Sequence, residues 1–530
     1  MASKSVFATI VGKLLPRTDA WNHENAPAYQ LTPHQALAQL ASTGTFNRTF
    51  YADAREQLDE VLKLAWQVEP EFLAKTAIAS FERGHMKDMP ALLLAVLSAL
   101  HGNEFNRAFP RIVRNGKMLR NFVQVMRSGV TGRRSLGTRP KRLIQSWLEQ
   151  AADREIMRAA VGRDPSMADV IKMVHPKPGS ASREALYGYL IGKPHDVLAL
   201  PDLVRAFEAF KRDPSLAVPD VPFQMLTSMP LTRAHWVQIA ETAGWQMLRQ
   251  NLNTFARHGV FEVEGFAGRL AARLRDADEI RRARVFPYQL MVAFIMADAA
   301  VPAEVKAALQ DAMEIALANV PTIEGRVVVC PDVSGSMGSS VTGYRQGSTS
   351  AVRCIDVAAL VAAAFLRANP TARVLPFEQA VVDIDLNPRD SVLNPRDSVM
   401  TNAMKLAAIG GGGTNCSAPL EQLVLEKAKV DLVVMVSDNE SWVDAVRYHH
   451  QGTATMQSWN RVKALNPSAK LVCIDLQPNT TTQAKGGTKD QADILNVGGF
   501  SDQVFEVIAA MVRSDGHPDQ WVRAIEAIEL

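Results

Sequence analysis

The sequence predicts a chain of at least two domains, an α-helical region followed by a doubly wound α/β domain. Its 530 residues are too many for one hydrophobic core. Apolar residues recur at helical spacing from Thr32 to about Val320, and beyond that point short apolar strands alternate with helices. The charge balance changes at the same place, because residues 1–320 carry 40 Lys and Arg against 32 Asp and Glu, and residues 321–530 carry 18 against 23. We therefore assign domains 1–320 and 321–530, and expect a polyanionic partner for the basic first part.

The helices predicted in the first domain are separated by short segments rich in Pro and Gly, which interrupt the helical pattern. The clearest predicted helices cover residues 58–66, 72–81, 90–100, 236–255 and 305–317. Helix pairs joined by short turns are typical of a solenoid of helical hairpins. No fixed repeat period is visible, so an irregular helical bundle remains the alternative.

One segment of the helical domain is strongly basic. Between Arg107 and Arg142 lie eleven Lys and Arg residues and no acidic residue. Nine of the eleven are Arg, whose guanidinium group binds phosphate bidentately and stacks on bases. We expect Pro110 in the first turn of a helix that carries the next basic residues. A solvated charged face is the alternative. Because a run without carboxylates repels itself unless an anion binds, the segment favours nucleic acid, and non-duplex RNA in particular.

In the second domain, short apolar strands alternate with helices, which indicates a mostly parallel, Rossmann-like sheet. Ligands of such sheets lie beyond the carboxyl ends of the strands. The predicted strands are 326–330, 373–377, 381–384, 432–436 and 471–476, and the predicted helices are 355–366, 418–429, 456–465 and 504–512.

Hard oxygen donors follow two of these strands. Asp332, Ser334 and Ser336 come after the first strand, Thr414 ends a Gly410-Gly-Gly-Gly-Thr sequence, and Asp438 follows a later strand. Hydroxyls and carboxylates with room for water suit a small cation that dehydrates reluctantly, so we expect Mg²⁺. In type and order these residues resemble the metal-ion-dependent adhesion site of a von Willebrand factor A (vWA) domain.

That resemblance implies a role for each donor. Ser334, Ser336 and Thr414 would bind the cation directly, and Asp332 and Asp438 would hold it partly through water. The open position would accept a carboxylate from another protein. Since no histidine or further carboxylate stands beside the motif as a base, we expect docking and not catalysis. Pro331 replaces the commoner aliphatic residue and must lie at the end of its strand.

Cysteine usage and hydropathy indicate a cytoplasmic protein. All four cysteines lie in the second domain, widely spaced and without a Cys-x-x-Cys pair, so we expect buried free thiols and no zinc. The N-terminal residues lack a credible signal-peptide cleavage site, and no apolar run is long enough to span a membrane.

Three longer motifs narrow the resemblance to one family. Residues 86–94 (Met-Lys-Asp-Met-Pro-Ala-Leu-Leu-Leu), residues 164–178 (Asp-Pro-Ser-Met-Ala-Asp through His-Pro-Lys-Pro) and residues 411–416 (Gly-Gly-Gly-Thr-Asn-Cys) closely resemble the Ro ribonucleoprotein family, in its bacterial form. The resemblance extends from about Thr32 to the C-terminus. It implies a monomeric ring of HEAT-like helical repeats (the TROVE module) together with a vWA domain.

The resemblance also implies partners. Family members bind small structured noncoding Y RNAs on the outer surface of the ring and the single-stranded 3′ ends of misfolded RNAs in its hole. They act in RNA quality control and stress survival, with exoribonucleases as bacterial partners. His175 matches a histidine of the Y RNA surface, and Arg158 and Arg163 fall near its basic residues. The candidate RNA-binding residues taken from the basic segment are Arg111, Arg114, Lys117, Arg120, Arg133, Arg134 and Arg139.

Two other classes of function remain open. An accessory subunit of a AAA+ chelatase-type complex would use the cation site and bind no RNA. A phosphodiesterase would use the cation for hydrolysis, although the sequence supplies no base for it. The heptad Leu-Asn-Pro-Arg-Asp-Ser-Val of residues 386–392 is repeated at 393–399, and we predict a duplicated surface loop without an assigned function.

Overall fold

The computed structural model of the chain describes residues 15–283, 285, 287–317, 320–344, 352–384, 393–444, 452–486, 491–499, 502–513 and 519–530. The first copy of the repeated heptad, 386–392, lies outside the described residues. The second copy forms a turn that leads into a helix starting at Val399.

In the described part of residues 15–317, the regular elements are helices apart from two short strands. The strands are β1 (Ala20–Trp21) and β2 (Pro27–Gln30). The helices are α1 (Pro33–Thr43), α2 (Ala54–Ala65), α3 (Pro70–Glu82), α4 (Asp88–Ala99), α5 (Glu104–Ile112), α6 (Gly116–Ser128), α7 (Thr138–Gln150), α8 (Asp153–Ala159), α9 (Met167–Val174), α10 (Ala181–Ile191), α11 (Asp202–Arg212), α12 (Arg233–Thr242), α13 (Trp245–Gln250), α14 (Leu252–Arg257), α15 (Phe266–Leu274), α16 (Ala277–Ala283), α17 (Pro287–Ile295) and α18 (Ala303–Ala316).

Local sequence explains many of the helix ends. Thr32 and Ser166 each form a capping box that satisfies free amides at the start of α1 and α9. Gly129 ends α6 in the left-handed region at φ 84°, where a residue with a Cβ is strained. His175 ends α9 in the same region at φ 51°. His175, which matches a histidine of the family's Y RNA surface, therefore stands at a sharp turn.

Two helix predictions were wrong. The predicted helix at 236–255 is three helices, α12 to α14, because the chain turns at Ala243–Gly244 and again at Asn251. Pro110 lies near the end of α5 and not in a first turn. Arg114 therefore falls between α5 and α6, and the basic residues expected on one helix are divided between two.

The second domain contains a parallel five-stranded sheet in the order β4-β3-β5-β6-β8. Its strands are β3 (Val327–Pro331), β4 (Arg373–Val374), β5 (Leu432–Ser437), β6 (Lys470–Asp475) and β8 (Ile494–Gly498), with β7 (Thr481–Thr482) outside the sheet. Its helices are α19 (Cys354–Ala368), α20 (Val399–Ala407), α21 (Ala418–Leu425), α22 (Ala454–Leu465), α23 (Asp502–Arg513) and α24 (Gln520–Glu526). Pro331 is the last residue of its strand, as predicted. Residues 381–384, predicted as a strand, form only a single bridge between Val381 and Phe377.

Both ends of the helical region contact the vWA-like domain. At the start, α1 packs against β8 and α24, and α24 also contacts α3. At the end, α17 packs on α19, and α18 packs on α20. Between these ends, successive helices contact near neighbours in the chain, such as α3 with α4 and α5. This arrangement confirms the predicted helical ring followed by a doubly wound α/β domain.

The first residues of the helical region are part of this contact. β2 pairs antiparallel with β7, so that Tyr29 stands opposite Thr482, and β1 pairs with β2. Tyr29 is fully buried in the apolar cluster that covers one face of the parallel sheet. We call residues 15–31 the N-terminal strap. It belongs to the first part of the sequence but packs within the second.

The cysteines are buried, as the sequence predicts. Cys330, Cys354, Cys416 and Cys473 are buried free thiols. Burial raises the pKa of the Cys330 thiol above its ordinary value, which keeps it protonated and unreactive. No helix in the described ranges is both long and apolar enough to cross a bilayer.

Candidate functional site

The five predicted cation ligands come together at the carboxyl edge of the parallel sheet. β3 and β5 are adjacent parallel strands, so Asp332 and Asp438, which follow them, stand side by side. Ser334 and Ser336 continue the loop after β3, and Ser336 lies in a short 3-10 turn, Gly335–Gly338. All five residues are buried, at 0% to 8% exposure, with Thr414 at 5%.

The hydroxyl groups form one connected cluster. The Thr414 hydroxyl donates to the Ser334 Oγ at 2.9 Å, and the Ser334 and Ser336 Oγ atoms are 3.3 Å apart. Asp332 accepts from the Ser334 amide at 2.8 Å and, through its other oxygen, from the Ser437 hydroxyl at 2.5 Å. Ser437 is a site residue that the sequence reasoning missed, although it directly precedes Asp438.

The glycine-rich loop brings Thr414 to the cluster. The Gly335 amide donates to the Gly412 carbonyl at 2.9 Å, and the Gly411 amide donates to the Val333 carbonyl at 2.9 Å. Gly412 has φ +63°, and a Cβ there would stand 2.2 Å from a Glu378 carboxylate oxygen. Only glycine fits this position without displacement of its neighbour.

The electrostatics of the cluster fit a bound cation. Asp438 Oδ2 is buried and has no hydrogen-bond partner. Burial, followed by the nearby charge of Asp332, raises the pKa of Asp438 well above its ordinary value. Burial likewise raises the pKa of Asp332. Two buried carboxylates beside hydroxyl oxygens, with one oxygen unpaired, are a donor set that a small divalent cation would satisfy.

The described residues contain no cluster of three or more His, Cys, Asp or Glu side chains that could hold a metal. A cation at this edge would therefore depend on the hydroxyls of Ser334, Ser336 and Thr414 as well as on carboxylates. This composition favours a hard ion such as Mg²⁺ over zinc. That these residues bind a cation stays a prediction.

Side chains of the helical region stand at the same edge, which the sequence reasoning did not anticipate. The Tyr51 hydroxyl lies close to the Ser336 side chain and to the Asp438 carboxylate. His23 bonds Glu440, two residues after Asp438, at 2.8 Å. Both residues are remote in sequence from the motif, and neither belongs to a recognisable pattern.

Five of the candidate RNA-binding arginines are held by protein groups. Arg111 and Arg114 form ion pairs with Glu82 of α3, at 2.7 and 2.5 Å. Arg133 and Arg139 donate to backbone carbonyls at the end of α4, where helix carbonyls are unsatisfied. Arg120 donates to the carbonyls of Ala159 and Val161. The expectation that nothing compensates the basic run was therefore wrong, since α3, the end of α4 and the end of α8 supply acceptors.

The other candidates line two cavities or lie beside them. Lys117, Arg120, Arg154 and Arg158 line a cavity of about 1090 Å³ that is bounded opposite by residues 218–224 and by α13. Its one acidic lining residue, Asp220, pairs with Arg154 at 2.7 Å. Arg163 is exposed on the loop that follows α8.

A second, open groove contains Arg134. Its volume is about 660 Å³, and it is lined by Arg127, Arg134, Ser135, Leu136, Gly137, Thr138, Lys141, Arg142, Gln145 and Met173. Four of these ten residues are cationic and none is acidic. Gln145 also donates to the Val174 carbonyl at 2.6 Å, which places the exposed His175 at the edge of this groove. Arg127, Lys141 and Arg142 were part of the basic segment but were not singled out from the sequence.

Comparison with known proteins agrees with this architecture. A family model described as the Ro60 vWA domain matches residues 326–512. A curated protein of Deinococcus radiodurans, named RNA-binding protein RO60, is 25% identical over 533 residues, which cover 93% of this chain and 95% of that protein. The crystal structure of the Deinococcus radiodurans Ro (RSR) protein matches with a TM-score of 0.58 at 21% identity, and covers 91% of this chain and 99% of that one. Residues 326–512 are therefore similar to the Ro60 vWA domain, and the similarity to Ro proteins extends over nearly the whole chain.

Proposed function

We propose that this chain is a non-catalytic RNA-binding protein that binds a small structured noncoding RNA, of the Y RNA kind, on the outer surface of its helical ring. The observation that carries the proposal is the groove beside His175, which has four cationic side chains and no carboxylate among its lining residues. Arg127, Arg134 and Arg142 are exposed there, so their guanidinium groups can reach phosphates. The name of the Deinococcus relative supports RNA as the polyanion.

The larger cavity is proposed to take single-stranded RNA, such as the 3′ ends of misfolded transcripts. Lys117, Arg120 and Arg158 would contact phosphates, and Phe223, which also lines this cavity, offers an aromatic ring. Single strands are bound by such combinations of positive charge and stacking surface. In this proposal the protein acts in the cytoplasm, as a monomeric ring, in RNA quality control and the response to stress.

The cation site is proposed to bind Mg²⁺ and to dock a protein partner, for which an exoribonuclease is the candidate. Ser334, Ser336 and Thr414 would hold the ion together with Asp332 and Asp438. A bound cation would supply an attachment point for a carboxylate of the partner. The alternative, an accessory subunit of a AAA+ chelatase-type complex, shares this site but predicts no RNA.

The first experiment is to purify the protein from its own host at low salt and to sequence the nucleic acid that accompanies it. A discrete small structured RNA is the expected result. Protein free of nucleic acid, which also fails to bind structured RNA with a single-stranded tail, would contradict RNA binding and favour the chelatase-type alternative.

The second experiment locates the RNA surface. The double variant Arg134→Glu/Arg142→Glu should weaken binding of that RNA and reduce the slope of log affinity against log salt by roughly one to two, because about 0.7 to 0.9 of a counterion is released for each phosphate contact. The matched control is Arg282→Glu, an exposed arginine of α16 that lines neither cavity. If the double variant and the control bind RNA alike, the groove is not the RNA surface.

A third experiment separates the two sites. Asp332→Ala should abolish Mg²⁺ binding. RNA affinity should stay within about twofold of the wild type, because neither Asp332 nor its loop lines either basic cavity. Loss of RNA binding in a folded Asp332→Ala protein would contradict this division of roles.

A further inference from the structure

The wall of the cation site is completed by side chains from outside the vWA domain. The N-terminal strap is fixed beside it, because the Asn22 side-chain amide donates to the Ser441 carbonyl at 2.7 Å and the Leu31 amide donates to the Thr480 carbonyl at 2.9 Å. The strap therefore crosses the carboxyl edge of the sheet close to the backbone that follows Asp438.

His23 of the strap holds this backbone. Its amide donates to one carboxylate oxygen of Glu440 at 2.8 Å, and its ring Nδ1 is 2.8 Å from the other oxygen. Glu440 is completely buried and follows Asp438 by two residues. The position of the Asp438 loop thus depends on a residue of the helical region.

Tyr51 packs on His23 and reaches the site itself. The two rings are stacked at 5.5 Å with an interplanar angle of 23°, and Phe50 packs edge-on against Tyr51 at 4.8 Å. The Tyr51 hydroxyl lies close to the Ser336 side chain.

The segment that carries Tyr51 is tied to the loop that carries the serine ligands. The Tyr344 amide donates to the Arg48 carbonyl at 2.6 Å, and the Asn47 side-chain amide donates to the Thr342 carbonyl at 2.8 Å. Residues 45–51 and 334–344 therefore form one packed unit. The backbone that leads into Tyr51 is fixed beside the loop that carries Ser336.

We infer that Tyr51 is a member of the cation site, whose hydroxyl oxygen contacts the cation or a water molecule bound to it. This inference rests on the proposed cation site. A phenol oxygen is a hard donor like those of Ser334 and Thr414, and this one comes from an element outside the vWA domain. A bound cation then links the helical ring to the vWA domain, and a partner carboxylate reaches the ion only beside Tyr51 or after its displacement.

The test is the affinity of the full-length protein for Mg²⁺, measured by isothermal titration calorimetry. Tyr51→Phe removes only the hydroxyl oxygen, and we expect about tenfold weaker binding, which corresponds to about 1.4 kcal/mol. Tyr344→Phe makes the same chemical change at an exposed neighbouring tyrosine and should bind within twofold of the wild type. Equal affinity of Tyr51→Phe and Tyr344→Phe would overturn the inference.

A second measurement needs no variant. In wild-type protein, Mg²⁺ should slow amide hydrogen exchange of residues 47–53 as well as of the loop 332–338. Protection of the loop alone would also overturn the inference. The proposed cation site is tested separately, because wild-type protein that binds no Mg²⁺ would contradict the site as a whole. Mg²⁺ binding that is lost in Asp332→Ala and unchanged in Tyr51→Phe would contradict only the role of Tyr51.

Discussion

Arg139 allows the structural and RNA-binding roles of the basic segment to be separated. Its guanidinium group donates to the carbonyls of Ser98, Leu100 and Gly102 at 2.7 to 3.1 Å, just where α4 ends. It also stands 5.2 Å from the centre of the Phe105 ring. We therefore expect Arg139→Ala to damage the junction of α4 and α5 and not the RNA surface.

The size of the effect follows from these contacts. Hydrogen bonds from a charged donor contribute about 1.5 to 3 kcal/mol, and a partly exposed cation–π contact adds about 0.5 to 1 kcal/mol. Because Arg139 is half-buried, the lower part of this range applies, and we expect a loss of about 2 kcal/mol. That loss makes local opening roughly 30-fold more frequent, since about 1.4 kcal/mol corresponds to a factor of ten.

Hydrogen exchange at the amides of residues 96–108 measures this opening directly. The matched control is Arg142→Ala, three residues later on α7, where the side chain is exposed and lines the basic groove. Arg142→Ala should leave exchange at 96–108 unchanged and weaken RNA binding severalfold. If Arg139→Ala left exchange within threefold of the wild type and weakened RNA binding as much as Arg142→Ala, Arg139 would be an RNA ligand and the reasoning would be refuted.

Three further outcomes are expected from single substitutions. Asp438→Asn removes a buried charge, so without Mg²⁺ its thermal midpoint should equal or exceed that of the wild type. With Mg²⁺ at a hundred times its Kd, the free energy of unfolding should rise by about 2.7 kcal/mol in the wild type only. An equal rise in the variant would count against the cation site. Gly412→Ala combines a positive φ with a clash against Glu378 and should lower the free energy of unfolding in urea by about 1 to 3 kcal/mol. Gln39→Leu leaves the buried Asp475 carboxylate without its 2.8 Å donor and should lower the same free energy by about 2 kcal/mol, whereas a neutral effect would show that the contact contributes nothing.

Much of the architecture was predictable because the signals are local. Amphipathic periodicity predicted α2, α3, α4 and α18, and the apolar strands β3, β5 and β6 were placed to within a residue or two at each end. Because ligands of parallel sheets lie at the carboxyl ends of the strands, the sequence alone predicts that Asp332 and Asp438 lie close together. The missed strand β8 has a polar residue, Asn496, within an otherwise apolar run.

The acceptors of the basic segment could not be predicted, because they are tertiary. Glu82 lies 29 residues before Arg111 in the sequence, and the carbonyls that Arg133 and Arg139 cap are backbone atoms, which no residue pattern reveals. The number of arginines in the basic segment is therefore larger than the number that can bind RNA. The same packing left Arg134 and Arg142 directed to an open groove, so the segment divides into a structural and an exposed half.

The N-terminal strap shows why the domain boundary drawn from charge and periodicity does not separate two packing units. Tyr29 is completely buried in the core of the vWA domain, and its hydroxyl accepts from the Thr453 amide at 3.2 Å. Burial of a side chain of this size contributes about 2 to 3 kcal/mol, which holds the strap against the sheet. The strap runs directly into α1, and α1 bonds the end of β6 through Gln39. Because the cation edge, the strap and the first helix of the ring are thus joined by buried contacts, a displacement of the Asp438 loop must either break those contacts or move the start of the ring with it.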